Sequence, residues 1–186
     1  MKTRNKLIVL LLAIGVILFG IIQGYVIPEQ QLRAEQYAND QLHPATHDLK
    51  RILPYKSQYM GDASNLSNLF THLPLSEYSR GFQLYPEELT AQVNYSMTSI
   101  KPEELNQALM YNSAAAFALI DNLEAIIYNN IDNENEHVRV TRALTEQVFG
   151  EHLPELLTPE QWKEEVQRKL EDKQFVANGS AIMLVR

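Results

Sequence analysis

An uninterrupted apolar run at the amino terminus limits what the rest of the chain can be. From Leu7 to Ile22 the residues read LIVLLLAIGVILFGII without a charge, and Gln23-Gly24-Tyr25-Val26-Ile27 extend the stretch. A helix rises about 1.5 Å per residue, so about 21 such residues match a hydrocarbon core of about 30 Å. Lys2, Arg4 and Lys6 precede the run, whereas Pro28 to Gln31 carry only Glu29. Basic residues stay on the cytoplasmic side of a span. The asymmetry therefore predicts a single-pass protein of the cell membrane, bound to the lipid bilayer through Leu7 to Ile27, with the amino terminus inside and the chain after Pro28 extracellular. A cleavable signal peptide shares the basic start but has a shorter apolar core and a small-x-small cleavage site. Phe19-Gly20-Ile21 and Gln23-Gly24-Tyr25 lack that character, which favours an uncleaved signal-anchor over a cleaved signal peptide. Gly15 and Gly20 are not in the small-xxx-small spacing of close-packed dimers, so the helix reads as a plain anchor.

Charge and cysteine content narrow the remainder. Three of the 16 basic residues precede the anchor, so the 13 that remain face all 23 acidic ones, a formal net charge of −10. Such a surface repels phosphate backbones, and no basic cluster overrides it, which argues against nucleic acid as a partner. The chain has no cysteine, which removes disulfides, zinc thiolate sites, lipid attachment and thiol nucleophiles together. Stability has to come from an ordinary apolar core. This composition suits a bacterial surface protein, and the sequons at Asn65, Asn94 and Asn178 read as chance matches.

The pattern predicts three segments: a cytoplasmic tip and transmembrane signal-anchor over 1–27, a polar helical stalk or linker over 28–45, and an extracytoplasmic α+β domain over 46–186. Leu49, Ile52 and Leu53 give a short apolar face that Pro54 interrupts. Gly61, with a positive φ, and Asp62, as a cap, introduce a helix from about Ala63 to His72 with Leu66, Leu69 and Phe70 buried. Leu89, Ala91, Val93 and Tyr95 alternate with Thr90, Gln92, Asn94 and Ser96, the signature of a half-buried strand, and Phe82 to Tyr85 pair with it through a Pro86-Glu87-Glu88 turn. Pro102 opens the core helix, expected to reach about Asn122, and further strands fall at Ala125 to Tyr128 and around Val138 and Val140. Thr141 caps a helix closed by Gly150, and Thr158-Pro159-Glu160-Gln161 is a capping box for a helix to about Glu171 with Trp162, Val166 and Leu170 inward. Asn178-Gly179 reads as the turn of a hairpin between Phe175 and Val185. The expected fold is a transmembrane helix followed by a small four-stranded antiparallel sheet packed with helices.

Tyr59-Met60-Gly61-Asp62, then Asn65, Leu69 and Leu73-Pro74, the strand ending at Asn94-Tyr95, Ala118-Leu119-Ile120-Asp121-Asn122 and Val140-Thr141-Arg142 follow one another in an order that resembles the uncharacterised family known as domain of unknown function 4825. The resemblance would extend from about Leu49 to Leu170. It implies an exported or membrane-anchored domain of Gram-positive bacteria and brings no activity and no functional residues.

The remaining constellations are weak as chemistry. His43-Pro-Ala-Thr-His47 with Asp48 lacks the Glu of a zinc helix and contains a proline. Asp132, Glu134 and Glu136 alternate as in a calcium loop, but His137 and Ala143 stand where a Gly and a bidentate Glu are needed. Ser57, Ser64, Ser76, Ser79 and Ser113 have no nucleophile-elbow context, and the pairs Glu87-Glu88, Glu103-Glu104 and Glu164-Glu165 fall at a turn, a helix start and a helix face. Eight tyrosines from Tyr37 to Tyr128 could form a glycan or peptide platform, although Tyr95 and Tyr128 sit on apolar patterns. No catalytic, cofactor-binding or metal residue is assigned, and no cofactor. The expectation is a binding or sensory-accessory module acting on another envelope protein or wall component, with a small cofactor-independent envelope hydrolase as the alternative.

Overall fold

The computed structural model describes residues 2–133, 136–150 and 152–185, apart from the side chain of Lys2. The chain divides into two compact units, Met1–Asn39 and Asp40–Arg186. The described residues of the first are helical: α1 (Lys2–Ile21), a π-turn (Ile22–Val26) and α2 (Ile27–Asp40). Its apolar window is long enough to cross a membrane and none of it is buried. Pro28 lies within this helix without breaking it. In the π-turn the Ile27 N–H bonds to the Ile22 carbonyl, and the extra residue puts Pro28 in the opening turn of α2, where a missing N–H is tolerated.

In the second unit, two 3-10 turns (Leu49–Arg51 and Leu53–Tyr55) replace the short helix expected before Lys56. Helix α3 (Ala63–Thr71) starts where Asp62 accepts a bond from the Asn65 N–H at 2.9 Å, and it buries Leu66, Leu69 and Phe70 as its spacing requires. The expected positive φ at Gly61 does not occur; among the described glycines only Gly81 and Gly150 have one. The corner is set instead by a tertiary bond, Met60 N–H to Asn122 Oδ1 at 2.6 Å.

Four strands form one sheet in the order β1 (Ser79–Tyr85), β2 (Thr90–Tyr95), β3 (Ala125–Asn130), β4 (His137–Thr141). The first and last pairs are antiparallel, but β2 and β3 run parallel, so the sheet is mixed and the expectation of a purely antiparallel one is corrected. The cause is the connection. A parallel neighbour needs a crossover of a dozen residues or more, and α4 (Pro102–Leu119) supplies it. From Ala108 to Leu119 every residue of α4 is buried, and the small residues Ala114, Ala115, Ala116 and Ala118 allow close approach. The Ser113 hydroxyl meets the Tyr128 hydroxyl at 3.0 Å on its sheet side. Leu89, expected within the strand, is left-handed (φ 46°) and closes the Pro86–Glu88 turn instead.

Beyond the sheet, α5 (Arg142–Phe149) is capped by Thr141 and ended by Gly150. Next come α6 (Pro159–Trp162), a π-turn (Lys163–Gln167) and α7 (Arg168–Glu171), which bury Trp162, Val166 and Leu170. The carboxy-terminal hairpin does not form. Residues Lys173–Met183 are helix α8, opened by Asp172, whose carboxylate accepts from the N–H groups of Gln174 and Phe175 at 2.8 and 3.3 Å. Gly179 lies inside it because a Cβ there would stand 2.5 Å from Met110 Cε and 3.1 Å from Val148 Cγ1. After α8, Val185 exchanges two backbone bonds with Arg139 and meets the outer edge of β4.

Candidate functional site

The candidate metal and catalytic groups separate on folding. His43 is exposed while His47 is buried, with Nδ1 at 2.8 Å from the Tyr111 hydroxyl and Nε2 at 2.7 Å from the His72 carbonyl. A carbonyl only accepts, so Nε2 carries the hydrogen and Nδ1 accepts from Tyr111. Tyr111 in turn accepts from Trp162 Nε1 at 3.0 Å. Burial, more than any neighbour, lowers the pKa of His47. The Gln167 amide donates to the carbonyls of Pro44 and His47 at 2.8 and 2.9 Å, so the residues after α2 are fastened to the core by a closed polar network.

Asp132 accepts from the Ser96 hydroxyl and from both the hydroxyl and N–H of Thr98, which lower its pKa. Glu136 accepts from Asn130 Nδ2, and Glu134 lies outside the described residues. These carboxylates tie two loops together, and among the described residues no cluster of metal-ligating groups occurs. Ser57 and Ser113 donate their hydroxyls to the carbonyls of Tyr59 and Leu109. Tyr95, Tyr111 and Tyr128 are core residues, so the tyrosines do not assemble into a surface platform.

Three of the motifs that carry the family resemblance, Tyr59 to Asp62, Ala118 to Asn122 and Val140 to Arg142, meet at one junction. Ser57 N–H bonds to the Leu119 carbonyl and Asp121 N–H to the Ser57 carbonyl, while Asn122 holds Met60. Arg142 lies over the end of α4 and donates to the carbonyls of Phe117, Ile120, Asp121 and Leu123 at 2.6–3.0 Å, with its guanidinium 5.4 Å from the Phe117 ring centre. A helix ends with unpaired carbonyls and negative partial charge, and a guanidinium satisfies both. This is architecture rather than chemistry.

The surface that remains is the sheet face turned away from the core. Ala91, Val93, Tyr95, Ile126, Tyr128, Val138 and Val140 point inward, so the alternate residues lie on the opposite face, where Thr90 and Ala125 are themselves buried and the others are exposed or half-buried. The register aligns them in rows across the four strands: Gly81, Asn94, Asn129 and His137; Gln83, Gln92, Ile127 and Arg139; Tyr85, Thr90, Ala125 and Thr141. The Tyr85 hydroxyl donates to Gln92 Oε1 at 3.2 Å, Gln92 Nε2 to Asn94 Oδ1 at 2.8 Å, and Asn129 Nδ2 to the same oxygen at 3.1 Å. Gly81 keeps the space beside Asn94 open, since a Cβ would lie 3.3 Å from its Nδ2. The sequence displayed one strand of this face, the polar half of the alternation over Thr90 to Ser96. The cross-strand rows depend on register and were not legible.

Neither a curated protein nor a solved structure matches the chain. The family model described as a domain of unknown function, DUF4825, matches residues 52–141, a shorter span than the expected Leu49 to Leu170 but one that contains α3, α4 and all four strands. The likeness to this family therefore covers residues 52–141, a little under half of the chain.

Proposed function

We propose that this protein is a membrane-anchored extracytoplasmic binding module that works without catalysis and meets an envelope component on the outward face of its sheet. The observation that carries the reading is that face: two registered rows, Gly81, Asn94, Asn129 and His137 beside Gln83, Gln92, Ile127 and Arg139, in which every residue is exposed or half-buried, flanked by half-buried Tyr85. Lys2, Arg4 and Lys6 before the apolar run favour an internal amino terminus, which puts the α+β unit outside. The helical anchor confines the domain to the membrane surface and raises its effective concentration for partners there, so weak contacts suffice. The hydrolase alternative would place its chemistry in the hollow beside the start of α4, where Glu103, Glu104 and Glu171 lie with Lys173.

The test is a photo-crosslinking residue placed in intact cells at exposed Gln83 on the face or at exposed Lys163 on the helical side. A discrete adduct from Gln83 and none from Lys163 supports the reading. Adducts from Lys163 alone, or turnover of wall, ester or peptide substrates by the purified protein, would reject it.

A further inference from the structure

We infer that the outward face binds an acidic polysaccharide, with sugar hydroxyls on the amides of β1 to β3 and a carboxylate on Arg139 at the β4 side. This inference rests on the face being the binding surface. A carboxamide donates and accepts side by side, which is the chemistry that pairs with neighbouring hydroxyls. Gln83, Gln92, Asn94 and Asn129 present four such groups on three adjacent strands, repeating at the spacing of about 4.8 Å between strands. The bonds among Tyr85, Gln92, Asn94 and Asn129 fix how the amides are turned. Asn94 Oδ1 receives two of them, and its Nδ2 donates to no partner among the described residues.

Charge selects the ligand class further. The protein has a formal net charge of −7, yet no position in the three rows carries a carboxylate, and exposed Arg139 and His137 lie side by side along β4. Arg139 is the one Lys or Arg of the three rows, so on this acidic molecule an anionic group finds a single point of attraction on the face while the remainder repels it, which favours one orientation of approach. The guanidinium fork fits a carboxylate with two parallel bonds. Apolar area on the face is confined largely to half-buried Tyr85 and Ile127, and a stable interface with a folded protein needs an apolar centre. A flat, amide-rich, cation-edged surface fits an extended acidic glycan better.

The full-length protein in phosphatidylcholine nanodiscs is titrated with polygalacturonate, with uncharged dextran and with polyglutamate. Polygalacturonate should bind with an affinity that declines as salt rises, and dextran and polyglutamate should bind far more weakly. Arg139→Gln and Asn94→Ala should each weaken polygalacturonate binding about tenfold without lowering the melting temperature, whereas Lys50→Gln, an exposed cation elsewhere, should not. Polyglutamate binding as tight as polygalacturonate, or binding indifferent to Arg139→Gln and Asn94→Ala, overturns the inference. If polygalacturonate fails to bind while crosslinking from Gln83 persists in cells, the ligand class is wrong and the binding face stands. Loss of both removes both.

Discussion

His47 is the one buried histidine of the chain's described residues, and its surroundings favour the neutral ring. Protonation would turn Nδ1 into a donor facing a Tyr111 hydroxyl that already accepts from Trp162, and Arg51 adds a further cost while Asp48 offsets part of it. Burial holds the folded-state pKa below the unfolded value of about 6.5. The contribution to stability is therefore complete above about pH 6.5 and is lost as pH falls through that value towards the folded pKa, because the unfolded chain takes up a proton that the folded chain refuses. Urea midpoints measured at pH 7.5 and 5.5 should show a larger loss for the natural protein than for His47→Gln. Equal losses would mean that another group controls the acid side. His43, four residues away and exposed, carries no such constraint, and the sequence could not distinguish the two because their difference is made by α3, α4 and α6 together.

Two predictions belong to the helices. Arg142 is the cap of α4: its side chain is 13% exposed and it donates to four carbonyls at the end of the helix and just beyond it. Arg142→Lys keeps the charge but not the fork, so chemical denaturation should register a loss of about 1–3 kcal/mol. A change below about 0.5 kcal/mol would place the end of α4 under other control. At Gly179, replacement by Ala gains helix propensity of about 1 kcal/mol but drives a methyl against Met110 and Val148, so the two effects nearly cancel. Gly179→Val keeps the collision without the gain, and its melting temperature should drop well below that of Gly179→Ala; the reverse order would contradict the close packing of α8 on α4. That same glycine explains where sequence reading went astray. Asn-Gly is a strong turn signal in isolation, and only the packing partner, distant in sequence, shows that the glycine serves contact instead. The alternating strands, the Asp62, Thr141 and Thr158 caps and the burial of Trp162, Val166 and Leu170 were legible because each is a local pattern. The parallel pairing of β2 with β3 was not, since a half-buried strand alternates in the same way whichever direction its neighbour runs.

At the scale of the whole molecule the proposed anchoring turns on which side of a membrane the α+β unit occupies. A helix that crosses a bilayer has its two ends in opposite compartments, and under the proposed anchoring the basic residues at positions 2, 4 and 6 bias which end stays inside. The proposed outward domain also has to fold without disulfides, which its continuous core from Leu49 to Leu184 makes feasible. Protease added to intact spheroplasts should therefore remove the domain while a reporter fused ahead of Lys2 remains protected, and breaking the membrane with detergent should expose both. Moving the three basic residues to positions just after Ile27 should invert the outcome in a measurable fraction of molecules, because orientation follows the flanking Lys and Arg and not the domain that trails them. A domain that resists protease until detergent is added would reverse the assigned topology and, with it, the access of any acidic wall polymer to Arg139 and the amides of the sheet.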